Sequence, residues 1–396
     1  MRLLIFAVVG LVFSAQVSSA EDGYSEGYLA LKKRFADIEV KALAEDFRGI
    51  QTSKGKQKGL FPIRATGVTT KPIVDAANAY LALLSKPELM RTQFAADDSE
   101  WRRWFNVDNG IYVRQGISLK EMSAVQRSAA KNLLRASLSA KGLKLSYDIM
   151  KTDKTLSELN SSAFLDEELY FITVMGNPSE AEPWGWQIDG HHLVINYFVM
   201  GDQVVMSPAF FGAEPAIAKT GKYKGNRVLQ EEQDVALAFM QSLSPIQKQV
   251  AVLDSRKPAD NLLAGAHSDN LILDYSGLRA SSLNNTERDG LLNLIGLFVN
   301  NLKEGHATIQ MNEVKKHLDD TWIAWVGETK DDSVFYYRIH SPVILIEFDH
   351  QKPIGTRMLH EPSTPTRDHI HVVVRTPNGN DYGKDLMGQH LSEHHH

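Results

Sequence analysis

Two blocks of strand-like sequence, which lie over each other at a constant offset of 151 residues without a gap, constrain this chain more than any other feature. In the first block, residues 169–175, 184–198 and 203–211 are rich in β-branched and aromatic side chains, and Met200-Gly201-Asp202 supplies a hairpin turn. The second block repeats the pattern over residues 321–326, 334–339, 343–348 and 369–375. At the offset, Trp184-Gly-Trp186-Gln-Ile188 falls on Phe335-Tyr-Tyr337-Arg-Ile339, Leu193 to Tyr197 falls on Ile344 to Phe348, and Gly176 falls on Gly327.

Outside the blocks the apolar period changes from two to between three and four. Residues 24–145 read mainly as helix, with S-x-x-E capping boxes at Ser85 and Ser118 and one amphipathic helix over 119–140. Further helices are expected over 229–253 and 286–303. The class predicted is α+β, with a helical N-terminal part and two modules of helix plus antiparallel sheet. These modules span about 110–215 and 275–376, and their correspondence reads as an internal duplication. A different strand order or direction in the two blocks would refute that reading.

Arg2, the apolar run Leu3 to Phe13 and Ser18-Ser19-Ala20 predict a secretory signal peptide over residues 1–20. The run is about half of what a membrane span needs, so residues 21–396 are expected as one exported domain, periplasmic or secreted, with no span of its own. Zero cysteines exclude disulfides, thiolate metal sites and cysteine nucleophiles. A formal charge of −5, from 43 basic and 48 acidic residues, argues against a nucleic-acid partner.

Any metal must therefore be held by His, Asp or Glu. In Asp368-His369-Ile370-His371, strand alternation puts both imidazoles on one face, the spacing two ligands of one ion require. Glu347 lies on an otherwise apolar strand and needs a partner there, as a metal ligand or a catalytic base. The run Trp184 to His192 adds His191 and His192, of which a continuous strand would present one to the site, His191 being in phase with Leu193 and Ile195. These residues point to a Zn, Fe or Cu centre: a hydrolase of an amide, ester or lactone, or an oxidative enzyme. Trp184, Trp186, Tyr337 and Arg338 are the candidate substrate-binding residues, for a small molecule, peptide or sugar. The alternative is a metal-free binding protein with a sugar or peptide pocket lined by Trp184, Trp186, Tyr336 and Tyr337. The local signatures G-x-S-x-G, G-x-x-x-x-G-K, G-x-G-x-x-G and H-E-x-x-H do not occur.

At these residues the chain resembles an uncharacterised family, domain of unknown function 3500. The resemblance rests on Trp184-Gly-Trp186 with Gly190-His191-His192-Leu193, Ala324-Trp325-Val326-Gly327, Tyr336-Tyr337-Arg338-Ile339, Ile346-Glu347-Phe348-Asp349, His369-Ile370-His371 and Asn380 to Leu386 with His390. Ser341 stands where a glycine is expected, and His350 where an asparagine is expected. The resemblance implies one family-wide domain and assigns no activity.

Overall fold

The computed structural model describes residues 26–394, so the proposed leader lies outside the described residues. Their centre is one mixed sheet of twelve strands with helices packed on one face. The first half contributes α1 (Glu26–Leu43), α2 (Lys71–Leu81), α3 (Lys86–Thr92), β1 (Gln93–Phe94), β2 (Ile117–Ser118), α4 (Ala124–Ser137), α5 (Ala140–Asn160), β3 (Tyr170–Met175), β4 (Trp184–Gly190), β5 (Leu193–Met200) and β6 (Gln203–Ala213). The second contributes α6 (Gln230–Ser242), α7 (Pro245–Ala251), β7 (Val252–Asp254), β8 (Leu278–Arg279), α8 (Asn285–Val299), α9 (Glu304–Lys316), β9 (Trp322–Gly327), β10 (Phe335–His340), β11 (Leu345–His350) and β12 (Ile370–Arg375), before α10 (Lys384–His394). The α+β class follows from this order.

Strand order reads β1-β3-β4-β5-β6-β12-β11-β10-β9-β7, the same sequence of roles from either end. Strands β3 to β6 and β9 to β12 are antiparallel meanders that meet where β6 pairs with β12. The outer strands β1 and β7 each run parallel to β3 and β9. The offset of 151 carries pairs onto pairs: Trp186↔Tyr197 becomes Tyr337↔Phe348, and Val174↔Trp186 becomes Trp325↔Tyr337. Both cross-strand ring pairs are stacked, with centroids at 5.3 Å and 5.1 Å, so the offset preserves packing as well as register. Strand order and direction agree between the blocks, and the duplication stays an expectation read from the sequence. The shared run of elements begins at α2 and α6, earlier than the module boundaries read from the sequence.

Three local readings need correction. Ser118 and Glu121 do exchange their hydrogen bonds, but in a turn; the helix starts one turn later, at a second box formed by Ser123 and Gln126. The expected 119–140 helix is two, split at Leu138, whose backbone is extended. The expected strand 184–198 is a hairpin whose turn is His191-His192. Backbone pairing closes this turn at Gly190↔Leu193, a constraint that apolar alternation does not report.

Side chains of β4, β5, β10 and β11 alternate between two buried layers. Trp184, Trp186, Tyr197, Tyr337 and Phe348 face the helices in the main core. The opposite face is covered by loops and α10, in a smaller core that includes Trp104, Phe198, Val373 and Tyr382. Arg375 of β12, buried on that face, donates to Asp269, Asp381 and the carbonyls of Ala264 and Gly265. This second face carries the histidine cluster at its edge.

Candidate metal centre

The β4–β5 turn and the start of β12 come together where the two meanders join. His371 pairs with Gly212 of β6, and the Gly212 N–H donates to the His192 carbonyl at 2.7 Å. A Cβ on Gly212 would stand 3.1 Å from the His192 ring, so the missing side chain makes room for that imidazole. His192 itself has φ +63°, a left-handed conformation uncommon for a residue with a Cβ. Strain of this kind costs on the order of 1–3 kcal/mol and concentrates where function needs it.

Three imidazoles then converge. His369 Nε2 lies 3.0 Å from His371 Nε2, which lies 3.2 Å from His192 Nε2. Among the described residues these three offer ligand atoms all within 4.8 Å of one another. Nitrogens bound at about 2.0–2.1 Å to one tetrahedral ion stand about 3.3–3.4 Å apart, so the observed spacing is close to that of a shared cation. A single proton on His371 Nε2 cannot serve both neighbours in good hydrogen-bond geometry, whereas one cation attracts three lone pairs at once.

The surroundings favour the neutral form of these rings and orient that of His369. Burial drives the imidazoles of His192 and His371 well below the usual histidine range, and their neighbouring histidines push the same way. Burial also lowers His369, although the Glu214 carboxylate, 3.6 Å from its Nδ1, works against that. The Nδ1–H of His369 donates to the Lys352 carbonyl at 2.7 Å; because a carbonyl only accepts, the proton sits on Nδ1 and the Nε2 lone pair faces the cluster. Glu214 is held in turn by the backbone N–H groups of Ile354, Gly355 and Thr356.

His191 has a separate role. Its ring stacks on that of His192 at 3.8 Å between centroids, and its Nδ1 lies 2.6 Å from Asp153 of α5. Burial disfavours its charged form, but Asp153 outweighs burial and the net shift is upward. Tyr170 donates to the other oxygen of Asp153 at 2.7 Å. Asp153, His191 and His192 form a second group with ligand spacing. Because Asp153 is already engaged by His191 and Tyr170, the three-imidazole group is the better cation site.

The cluster opens into a cleft of about 300 Å³ lined also by Asn106, Asp108, Leu156, Asn160 and Ile354. Among the described residues no Lys or Arg lines it. The structure therefore brings together four of the expected histidines, with His192 rather than His191 at the centre, and the two adjacent rings lie on the same side because they form a turn.

It does not bring Glu347 there. The Glu347 carboxylate accepts from Tyr336 Oη at 2.5 Å and from the backbone N–H of Leu263 and Ala264, anchoring the loop over β11. Burial raises its pKa against these bonds. Trp184, Trp186 and Tyr337 are fully buried in the helix-facing core and line no part of the cleft. Arg338 lies on the loop-covered face, where it donates to Ser276 Oγ. Asp153, Tyr170 and Glu214 were missed by the sequence reading. Asp153 had a signal: it falls in phase with Ile149 and Leu156 on the buried face of α5, where a lone carboxylate calls for a partner.

Fold and site define an α+β single-sheet protein with histidine and aspartate groups placed to hold a metal ion at the junction of two meanders. The chain belongs to the family described as protein of unknown function (DUF3500), whose model matches residues 66–384. No curated protein and no solved structure matches it. No helix among the described residues is long and apolar enough to cross a membrane.

Proposed function

We propose that this chain is an exported metal-dependent hydrolase whose ion is held by His192, His369 and His371. The observation that carries the reading is the convergence of three neutral Nε2 atoms, from the buried His192 and His369 and the half-buried His371, at 3.0 and 3.2 Å on the wall of a cleft. Three imidazoles with an open position are a ligand set used by catalytic Zn²⁺, which lowers the pKa of a bound water to about 7 and so supplies a nucleophile. The same set suits copper, while the carboxylate that a two-histidine iron site needs is engaged elsewhere.

The chain's own residues supply the rest. Asp153 holds the proton of His191 on Nδ1, which leaves Nε2 as the atom that takes a proton at the cleft. With Asp108 and Glu214 and no Lys or Arg among its lining residues, the cleft disfavours an anionic substrate, and a neutral ester, amide or lactone meets that requirement. The metal-free binding reading loses its pocket, because Trp184, Trp186 and Tyr337 are core residues. Export is proposed on the leader sequence alone.

Metal analysis of untagged protein, purified without chelator, tests the reading. We expect one transition-metal ion per chain, a rise in thermal stability on adding Zn²⁺ to the apoprotein, and metal-dependent cleavage of neutral esters or lactones. His371→Ala should lose the ion, whereas His317→Ala, beyond the end of α9, should keep it. Wild-type protein that holds no stoichiometric ion and gains no stability from Zn²⁺, Fe²⁺ or Cu²⁺ would overturn the assignment.

A further inference from the structure

The two halves place a second cavity where the offset predicts a counterpart of the histidine cleft. Shifting His192 by 151 gives Val343, in the turn between β10 and β11. His371 pairs with Asp349, and the counterpart of Asp349 is Phe198, which pairs with Val205. His369 meets Gln351 through a backbone hydrogen bond, and the counterpart of Gln351 is Met200, which pairs with Gln203. Val343, Val205 and Gln203 all line one cavity of about 90 Å³, at the far end of the sheet from the histidines in sequence register.

This twin cavity has no metal-ligand set: two of the three positions are valines. It has another polar group, His306 in the first turn of α9. That residue is 4% exposed, and neither of its ring nitrogens makes a hydrogen bond among the described residues. The ring nitrogens are not sealed off but reach the cavity, so whatever occupies it, water or a ligand, is their hydrogen-bond partner. The charged residues around the cavity are already satisfied: Arg64 pairs with Glu313, and Asp202 accepts from the N–H groups of Thr66 and Gly67. Phe61 and Ile309 complete an apolar wall. Burial lowers the pKa of His306, so the group on offer is a neutral ring able to donate one hydrogen bond and accept another.

We propose that this cavity is a second ligand site, which takes an uncharged small organic molecule with an apolar body and one hydroxyl or carbonyl group hydrogen-bonded to His306. At about 90 Å³ it is smaller than the apolar cavity of about 150 Å³ that holds benzene, so a single small ring is the upper limit and keeps part of itself in the open mouth. The site is independent of the metal centre, with which it shares no lining residue.

Phenol and benzene, a pair of probes that differ by one hydroxyl, test it by ligand-observed NMR and by thermal stability of the full chain. Wild-type protein should bind phenol, and benzene about tenfold more weakly, the worth of one good hydrogen bond. His306→Leu should bind the two alike. Val205→Trp, which fills the space, should bind neither while its response to Zn²⁺ stays that of wild type. Absence of phenol binding at millimolar concentration, equal affinity of wild type for both probes, or phenol binding unchanged in Val205→Trp would each overturn the proposal. Should Val205→Trp fail to fold, the comparison of wild type with His306→Leu decides the matter alone.

Discussion

Replacing Arg375 by Met, which keeps most of the side-chain volume and removes the charge, should cost about 3–5 kcal/mol of stability. The guanidinium is fully buried and makes four hydrogen bonds: Nε to Ala264 O at 2.9 Å, Nη1 to Asp269 at 2.8 Å and Asp381 at 3.2 Å, and Nη2 to Gly265 O at 2.7 Å. Asp269 keeps Arg102 at 2.8 Å and Tyr382 Oη at 2.9 Å, so its charge stays compensated. Asp381 keeps only Ser207 Oγ and the Thr376 N–H, and becomes a buried carboxylate with no cation beside it. The loss is therefore set by Asp381 and two orphaned carbonyls rather than by the deleted methylene contacts.

A pH dependence separates this account from a packing defect. Burial already raises the pKa of Asp381 in the wild type, against the pull of Arg375. Without the arginine it rises further above its unfolded value, so the folded variant binds a proton that the unfolded chain does not. The penalty should be largest near pH 8 and shrink as the solution is acidified toward about pH 5. Equilibrium denaturant unfolding followed by tryptophan fluorescence, at both pH values and with unchanged m, measures it. A loss below about 1 kcal/mol, or one that does not change with pH, would refute the reasoning.

His192→Asn, which tolerates the left-handed backbone, should leave the apoprotein within about 1 kcal/mol of wild type while abolishing the rise in melting temperature with Zn²⁺; a large loss of apoprotein stability would mean that the ring is structural. Glu100 is 2% exposed and only 3.9 Å from Arg103 at its closest, and burial raises its pKa to about 8. Its stabilising contribution is complete below the unfolded carboxyl range and is lost as pH rises through that window to about 8, at about 1.4 kcal/mol per pH unit, so Glu100→Gln should gain on wild type as pH rises. Trp186→Ala should cost about 3–5 kcal/mol in a denaturant titration and leave Zn²⁺ binding by the folded protein intact, the behaviour of a core residue and not of a substrate contact.

Much of this architecture was legible in the chain itself because side-chain alternation and helical period are local. The offset of 151 places the pairs of β3–β4 and β4–β5 onto those of β9–β10 and β10–β11, and His369-Ile370-His371 reads as two imidazoles on one face of a strand. What ligand set those imidazoles join is not local. Only strand pairing turns His191-His192 into a hairpin turn, sets His371 against Gly212, and so brings His192 within 3.2 Å of a residue 179 positions away. Only the docking of α5 on the sheet supplies Asp153 to His191, and only the loop over β11 claims Glu347 through two backbone N–H groups. A buried carboxylate announces that it needs a partner, but which donors reach it depends on segments 38 or 84 residues distant, whose position is set by the packing of whole elements.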